Sequence, residues 1–182
     1  QKLIKRPTLA FDISPFDNKV MYVGTGAGHY EKSINGGNSW ESKKPKNGEL
    51  AGLSAVTGVT FNPENPDSMY LSANGLGIFR SNDGGEVWIH TGHYLDRDVK
   101  YNPKNASEVW GISNPNLGVL GGKGAKVHYS SDGGNKFVNT HADEMINYLN
   151  DKYYAGKNAE FNSIYFSPDG SKVYICTSSG VI

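Results

Sequence analysis

Two carboxylates stand two residues apart in YLDRDVKYNP, Asp96 and Asp98, and paired carboxylates are what glycoside hydrolysis needs. Such a pair must flank the scissile bond with its carboxyl groups roughly 5 to 9.5 Å apart, the separation depending on whether the reaction retains or inverts configuration. An Asp-Arg-Asp run is equally the pattern of a solvated strand entrance with internal charge pairing, so Asp96 and Asp98 are weak catalytic candidates. His90 and His93, in His-Thr-Gly-His just upstream, imitate half of a metal site. They lack a second ligand set, and no metal is expected there. GVLGGKGAK resembles a phosphate loop only in composition, because it lacks the first glycine at the required distance and a Ser or Thr after the lysine. No cofactor is expected.

A second group of residues recurs. SINGGNSW (33 to 40), SNDGGEVW (81 to 88) and SSDGGNKF (130 to 137) share one layout: Ser33, Asn35, Gly37 and Trp40; Ser81, Asp83, Gly85 and Trp88; Ser130, Asp132, Gly134 and Phe137. The acid or amide can accept hydrogen bonds from backbone amides two or three residues on, and the glycine pairs can take a positive φ. Trp40, Trp88 and Phe137 then return on the outgoing strand as large apolar plugs. Asn35 can do this turn chemistry but not carboxylate catalysis. The layout therefore reads as structural.

The elements that carry these turns also repeat. Segments from Leu9, Val56, Arg97 and Phe161 each read as a strand, a proline turn and a second strand, with the prolines at Pro15, Pro63, Pro103 and Pro168. Apolar residues alternate before each turn (Phe11 and Ile13, Val59 and Phe61, Val99 and Tyr101, Ile164 and Phe166), as expected of strands with one buried face. The distance from proline to serine is 18 residues in the first two units and 27 in the third, the excess lying in the glycine-rich NPNLGVLGGKGAK. Four short antiparallel strands per unit of about 40 to 50 residues is the signature of a propeller blade. The expectation is an all-β propeller of four-stranded blades spanning residues 1–182, incomplete at about three and a half blades. With the fourth proline at 168, its serine turn would fall near 186, past Ile182, so the sequence is read as part of a longer protein or of a ring that another chain or further blades complete. Unpaired strand edges would otherwise invite aggregation.

The serine turns resemble the Asp-box, or BNR repeat, Ser-x-Asp-x-Gly-x-x-Trp, and the resemblance covers nearly the whole chain. It implies a β-propeller of the kind found in sialidases, xyloglucanase-type glycoside hydrolases, sortilin-like receptors and non-enzymatic assembly factors. It also implies that each turn sits on the hairpin between a blade's third and fourth strands, away from the central channel. The enzyme patterns fit poorly. Sialidases use an arginine cluster opening on Arg-Ile-Pro, whereas Lys5-Arg6-Pro7 is a poor match and only Arg6, Arg80 and Arg97 are present. Xyloglucanase-type enzymes carry an aspartate in Thr-Asp-x-Gly-Gly, where this chain has Thr25-Gly26-Ala27-Gly28. Asp98 aligns with Gly58 and Ser163 at the start of an innermost strand, a position that can face the channel mouth.

Other features narrow the choice. The 18 basic and 18 acidic residues cancel, which removes the electrostatic footprint expected for nucleic acid. No apolar run approaches the roughly 20 residues of a spanning helix, so membrane insertion is not expected. Cys176 is the only cysteine, read as a buried thiol in a strand. Residues 141–155 carry Met145, Ile146, Leu149 and Tyr153 at helical spacing and predict an inserted helix. Asn105-Ala-Ser107 is a glycosylation sequon or an ordinary turn, and Tyr94, Tyr153 and Tyr154 are loop tyrosines able to stack on sugars or contact protein. The start at Gln1 fits a processed or cut chain, and with the resemblance gives an extracellular, cell-surface or periplasmic location. The expected role is a non-catalytic scaffold binding a protein or glycan partner through inter-blade loops. The alternative is a fragment of a glycoside hydrolase whose catalytic carboxylates lie partly elsewhere.

Overall fold

The structure is a computed structural model that describes residues 4–26, 28–44, 54–113, 126–139, 160–178 and 180–182. The expected helix 141–155, with Tyr153 and Tyr154, lies outside them, as does most of the glycine-rich loop. Every element among the described residues is a strand. The first sheet contains β1 (Thr8–Ile13), β2 (Met21–Thr25), β3 (Tyr30–Ser33) and β4 (Glu41–Lys43), and the second β5 (Val56–Phe61), β6 (Met69–Ala73), β7 (Gly77–Ser81) and β8 (Ile89–His90). The third contains β9 (Asp98–Asn102), β10 (Asn105–Ser113), β11 (Lys126–Ser130) and β12 (Val138–Asn139). The fourth has β13 (Phe161–Phe166), β14 (Val173–Thr177) and β15 (Gly180–Val181). Each sheet is an antiparallel meander, and the four are arranged as the blades of a propeller.

Sequence alternation explains how the blades stack. In the second blade Val59, Leu71 and Phe79 lie opposite one another across three strands, on the face that meets Tyr22 and Tyr30 of the first blade. Tyr70 and Ile78 occupy the other face and meet Val99, Tyr101 and Val109 of the third. Ile112 and Val127 of the third then meet Phe161, Ile164 and Ile175 of the fourth. Each of these side chains, fully removed from water, contributes about 1.5–3 kcal/mol, so the blade-to-blade seams are the core of the molecule. Aromatic geometry reinforces the first seam, where Tyr22 stacks on Tyr30 at 5.6 Å and meets Phe61 edge-on at 5.4 Å.

The first strands line up in order, β1 beside β5, β5 beside β9 and β9 beside β13. One backbone amide in each downstream strand reaches into the strand before it. Phe61 N–H donates to Asp12 Oδ2 at 3.0 Å, Tyr101 N–H to Thr60 Oγ1 at 3.3 Å, and Ile164 N–H to Asp98 Oδ2 at 2.9 Å. These bonds satisfy amides on the channel-side edge that no neighbouring strand can pair.

Two expectations need correction. Phe11 and Ile13 belong to a face read as buried, yet they are 52% and 39% exposed, against 2% and 5% for their counterparts Val59 and Phe61. Alternation shows that a strand has an apolar face; it does not supply the blade that covers it, and the second blade covers only the opposite face of the first. Cys176 is half-buried in β14 instead of fully buried, because no other sheet among the described residues packs against its face of the fourth blade.

Candidate functional site

The three serine turns lie at separate places, one in each of the first three sheets, between the third and fourth strands. Their internal bonding is nearly superimposable. Ser33, Ser81 and Ser130 each donate to the side-chain oxygen two residues on, at 3.0, 2.7 and 2.7 Å, and accept from the glycine amide four residues on, at 3.0, 2.9 and 2.8 Å. Asp83 Oδ1 accepts from Val87 N–H and Asp132 Oδ1 from Lys136 N–H, both at 2.9 Å, and Asn35 Oδ1 accepts from Ser39 N–H at 2.9 Å. Asp83 Oδ1 also accepts from Glu86 N–H at 3.0 Å, three residues on as expected, and the bond common to all three turns reaches one residue further. The amide of Lys136 is the main reason the Asp132 carboxyl is held below the usual carboxylate range. The first glycine of each pair donates to the proline-turn hairpin of its own blade: Gly36 to Lys19, Gly84 to Asp67 and Gly133 to Ser107.

A contact between blades completes two of these turns. Tyr22 Oη donates to the Gly84 carbonyl and Tyr30 Oη to the Gly85 carbonyl, while Tyr70 Oη donates to the Gly133 carbonyl at 2.8 Å. The tyrosine always comes from the preceding blade. A β-carbon on Gly134 would lie 2.4 Å from Tyr70 Oη, so glycine is required there by close approach as well as by φ of +87°. Trp88 is buried under this cover, whereas Trp40 and Phe137 are half-buried.

Asp96 and Asp98 are both nearly buried, and both hold backbone. Asp96 Oδ2 accepts from Gly75 N–H at 3.2 Å, and its carbonyl accepts from Thr57 Oγ1 at 2.8 Å. Asp98 accepts from Val99 N–H and Ile164 N–H, each at 2.9 Å, with Oδ1 so close to Gly58 that a β-carbon there would sit 2.5 Å away. Burial pushes the Asp98 carboxyl up, and Lys100 partly offsets it. A general acid or nucleophile needs an oxygen facing substrate. Asp96 Oδ2 and both oxygens of Asp98 are instead engaged with backbone amides, and Asp98 thereby ties the third blade to the fourth.

Among the described residues, two cavities lie against the innermost strands. One, of about 530 Å³, is lined by residues 8–11 with Val23, Thr57, Asp98, Lys100, Asn162, Ser163 and Tyr165. The other, of about 300 Å³, is walled by Phe11, Ile13, Phe61, Tyr101 and Phe166, with Pro15, Pro63 and Pro103. Phe11, Lys100 and Tyr165 border both. Lys100 Nζ donates to the Val59 carbonyl at 2.8 Å, leaving hydrogens free for a guest, and Tyr165 is 57% exposed. Sequence reasoning did not single out Lys100, Tyr165 or Asn162. Their only signal was position, since all three lie on innermost strands beside the alternating apolar residues.

The remaining candidates are dispersed. His90 Nε2 lies 2.8 Å from the Leu76 carbonyl and its Nδ1 accepts from Gly92 N–H at 3.2 Å, while the His93 ring meets Phe137 edge-on at 5.0 Å. No group of three or more metal-ligating side chains occurs among the described residues. Arg6 pairs with Glu31 at 3.8 Å, Arg80 donates to Asn135 at 3.2 Å and Arg97 to Asn162 at 3.4 Å, in three different parts of the array. Asn105 accepts from Ser107 N–H at 3.0 Å, closing a turn, and Tyr94 is half exposed beside His90 at 5.4 Å. No helix among the described residues is long and apolar enough to cross a membrane.

No family model and no curated protein matches the chain. Solved structures do. YCF48 bound to D1 peptide is similar with a TM-score of 0.54 and 14% identity, over 74% of this chain and 39% of that one. The GH74 xyloglucanase from Xanthomonas campestris gives 0.66 and 12%, over 97% and 28%. An auxiliary nutrient binding protein from Bacteroides thetaiotaomicron gives 0.64 and 16%, over 92% and 35%. The chain therefore spans less than two fifths of each of these proteins. At such identities the likeness is one of fold, the β-propeller.

Proposed function

We propose that this chain is a non-catalytic propeller scaffold, exported or displayed at the cell surface, whose serine turns are Asp-boxes at the outer rim and whose concave side holds a protein or glycan partner. The observation that carries the reading is the contrast on the innermost strands. Asp98 borders the larger cavity but has both carboxylate oxygens on backbone amides, and Asp96 lines neither cavity, while the rings of Phe11 and Tyr165 and the Lys100 ammonium border both. Apolar walls with a few directed polar groups suit binding. Lys100 offers a cation to a carboxylate or carbonyl, and the exposed ring of Tyr165 can stack on a sugar or an apolar side chain. Neighbours of the same fold include YCF48 bound to D1 peptide and an auxiliary nutrient binding protein, which fits such a use.

The competing reading, part of a glycoside hydrolase, draws on the xyloglucanase neighbour. Both are tested with an array of immobilised peptides and a set of soluble xyloglucan oligosaccharides. The scaffold reading expects saturable binding to one class that weakens about tenfold in Lys100→Met, which keeps the stem and removes the charge. It expects no hydrolysis. Turnover of xyloglucan that disappears in Asp98→Asn would overturn it.

A further inference from the structure

The seam between the first and second blades and the seam between the second and third are built from matching positions. Lys32 lies opposite Tyr22 on β2 and Glu41 on β4, and Arg80 likewise lies opposite Tyr70 on β6 and Ile89 on β8. Lys43 and Thr91 sit two residues further along, and Glu86 and Asn135 each come directly after the glycine pair of the serine turn in the next blade. In the first seam the charges cancel. Lys43 Nζ donates to Glu86 Oε1 at 3.1 Å and lies 3.4 Å from Glu41 Oε1, while Lys32 Nζ donates to the Gly84 carbonyl at 3.3 Å and lies 4.0 Å from Glu86 Oε1. Two ammonium groups thus share two carboxylates.

The second seam keeps a cation and lacks both carboxylates. Ile89 stands in the place of Glu41 and Asn135 in the place of Glu86, so Arg80 Nη1 donates to the neutral Asn135 Oδ1 at 3.2 Å, and no carboxylate among the described residues pairs with it. Thr91 adds no charge, and both ring nitrogens of His90 are engaged with backbone. Burial pushes the Tyr70 hydroxyl up and Arg80 partly offsets it, which sets the guanidinium beside the phenol. These positions bound a cavity of about 180 Å³ that also touches Gly134 and shares no lining residue with the cavities beside Lys100. A guanidinium carries five N–H donors in a planar fork that matches a carboxylate, so the bond to Asn135 leaves donors for a second acceptor.

We propose that this cavity is a binding site for a carboxylate on a short aliphatic stem, held by Arg80 in the place that Glu86 takes in the first seam, with the stem against Ile89. The donor set matches one negative charge, because the lining residues include a single guanidinium, no lysine and the apolar side chain of Ile89, which is 62% exposed. Inorganic phosphate brings more charge and no apolar part, and fits the same walls less well. An acidic side chain of a protein partner and a free organic acid share the carboxylate chemistry. The inference goes beyond the scaffold reading, since the site lies between the second and third blades and makes no use of Lys100.

The test is an NMR titration of the 182-residue chain, read at the backbone amides of Gly134 and Asn135. The probes are acetyl-Gly-Glu-Gly-amide, its glutamine counterpart, butyrate and inorganic phosphate. The glutamate peptide should give saturable shifts, with the glutamine peptide at least about tenfold weaker. Arg80→Met, which keeps an apolar stem and removes the fork, should weaken the glutamate peptide by a similar factor, while Lys19→Met, at an exposed cation of the first blade, leaves it unchanged. Asn135→Glu supplies the carboxylate from within, as Glu86 does in the first seam, and should abolish binding while raising the thermal midpoint. Circular dichroism melts verify that each variant is folded, and Asn135→Glu decides the matter if Arg80→Met is not. Tighter binding of the peptide than of butyrate supports the site and assigns it to a partner's side chain, and the reverse order supports it as a site for a free organic acid. Phosphate that shifts the same amides as strongly as the carboxylates overturns the proposal. So does the absence of saturable shifts up to the solubility of the probes, or binding undiminished in Asn135→Glu.

Discussion

The turn at Ser81 and the turn at Ser33 are closed by the same internal bonds, to within 0.3 Å in every matched distance. Around them the two differ. Tyr22 and Tyr30 reach the carbonyls of Gly84 and Gly85, and Trp88 is 1% exposed beneath them, whereas no side chain among the described residues donates to Gly36 or Gly37 and Trp40 is half-buried. The turn is therefore a local device that shapes a hairpin. Its burial, and most of the stability that follows, comes from the neighbouring blade.

The tryptophans give the sharpest way to break this comparison. Trp88→Ala removes a large ring from a seam that cannot collapse around the hole, and should cost about 3–5 kcal/mol of unfolding free energy. Trp40→Ala removes a ring already partly in water and should cost less, by about 1 kcal/mol or more. Urea unfolding of the two variants, with m-values compared, gives the difference directly. Equal losses would mean that the turn, and not the adjoining blade, governs the burial.

The glycines sharpen the same point at lower amplitude. Gly134 and Gly37 both have positive φ, +87° and +80°, so alanine at either incurs about 1 kcal/mol of backbone strain. At Gly134 the new methyl would also strike Tyr70 Oη, 2.4 Å away, and displace the hydroxyl from the Gly133 carbonyl, while at Gly37 its nearest neighbour is 3.5 Å away. Gly134→Ala should therefore lose about 2–3 kcal/mol, adding a broken buried hydrogen bond to the strain. Gly37→Ala should lose about 1 kcal/mol. The pair is read from thermal midpoints, and a loss at Gly37 as large as that at Gly134 counts against the cover by Tyr70.

What the sequence shows and what it hides divide along the same line. The first strands begin at Thr8, Val56, Asp98 and Phe161, close to the positions given by the proline turns, because alternation and turn chemistry are local signals. The serine turns are legible for the same reason. The tyrosine hydroxyls are not, since Tyr22 and Gly84 stand 62 residues apart and a tyrosine in a strand gives no sign of its acceptor. Asp98 is the opposite case. Its spacing from Asp96 suggested chemistry, but its partner Ile164 N–H, 66 residues away, makes it a brace between blades. Lys100 and Tyr165 were hidden because a cavity between four strands exists only after they are assembled.

The smallest effect tests the turn alone, with the neighbouring blade left out of the comparison. Asn35 Oδ1 accepts from Ser39 N–H at 2.9 Å and its Nδ2 donates to Ser39 Oγ at 2.8 Å, so Asn35→Asp keeps the first bond and lets the serine hydroxyl donate in the second. At pH 7 the variant should lie within about 0.5 kcal/mol of the parent. Its pH dependence should change more visibly. In the third blade the Lys136 amide holds the Asp132 carboxyl low, and a carboxyl lowered on folding contributes stability that is present above its unfolded value, near 3.9, and disappears as the pH falls through the folded one. Aspartate at 35 should acquire that behaviour, so that Asn35→Asp loses ground to the parent between pH 5 and pH 2 while Asp132→Asn gains. Urea midpoints along that pH series decide it. Parallel curves for all three proteins would show that the amide contact, although well formed, does not discriminate between the protonated and ionised acid, and that the asparagine of the first blade and the aspartates of the other two are interchangeable at every pH.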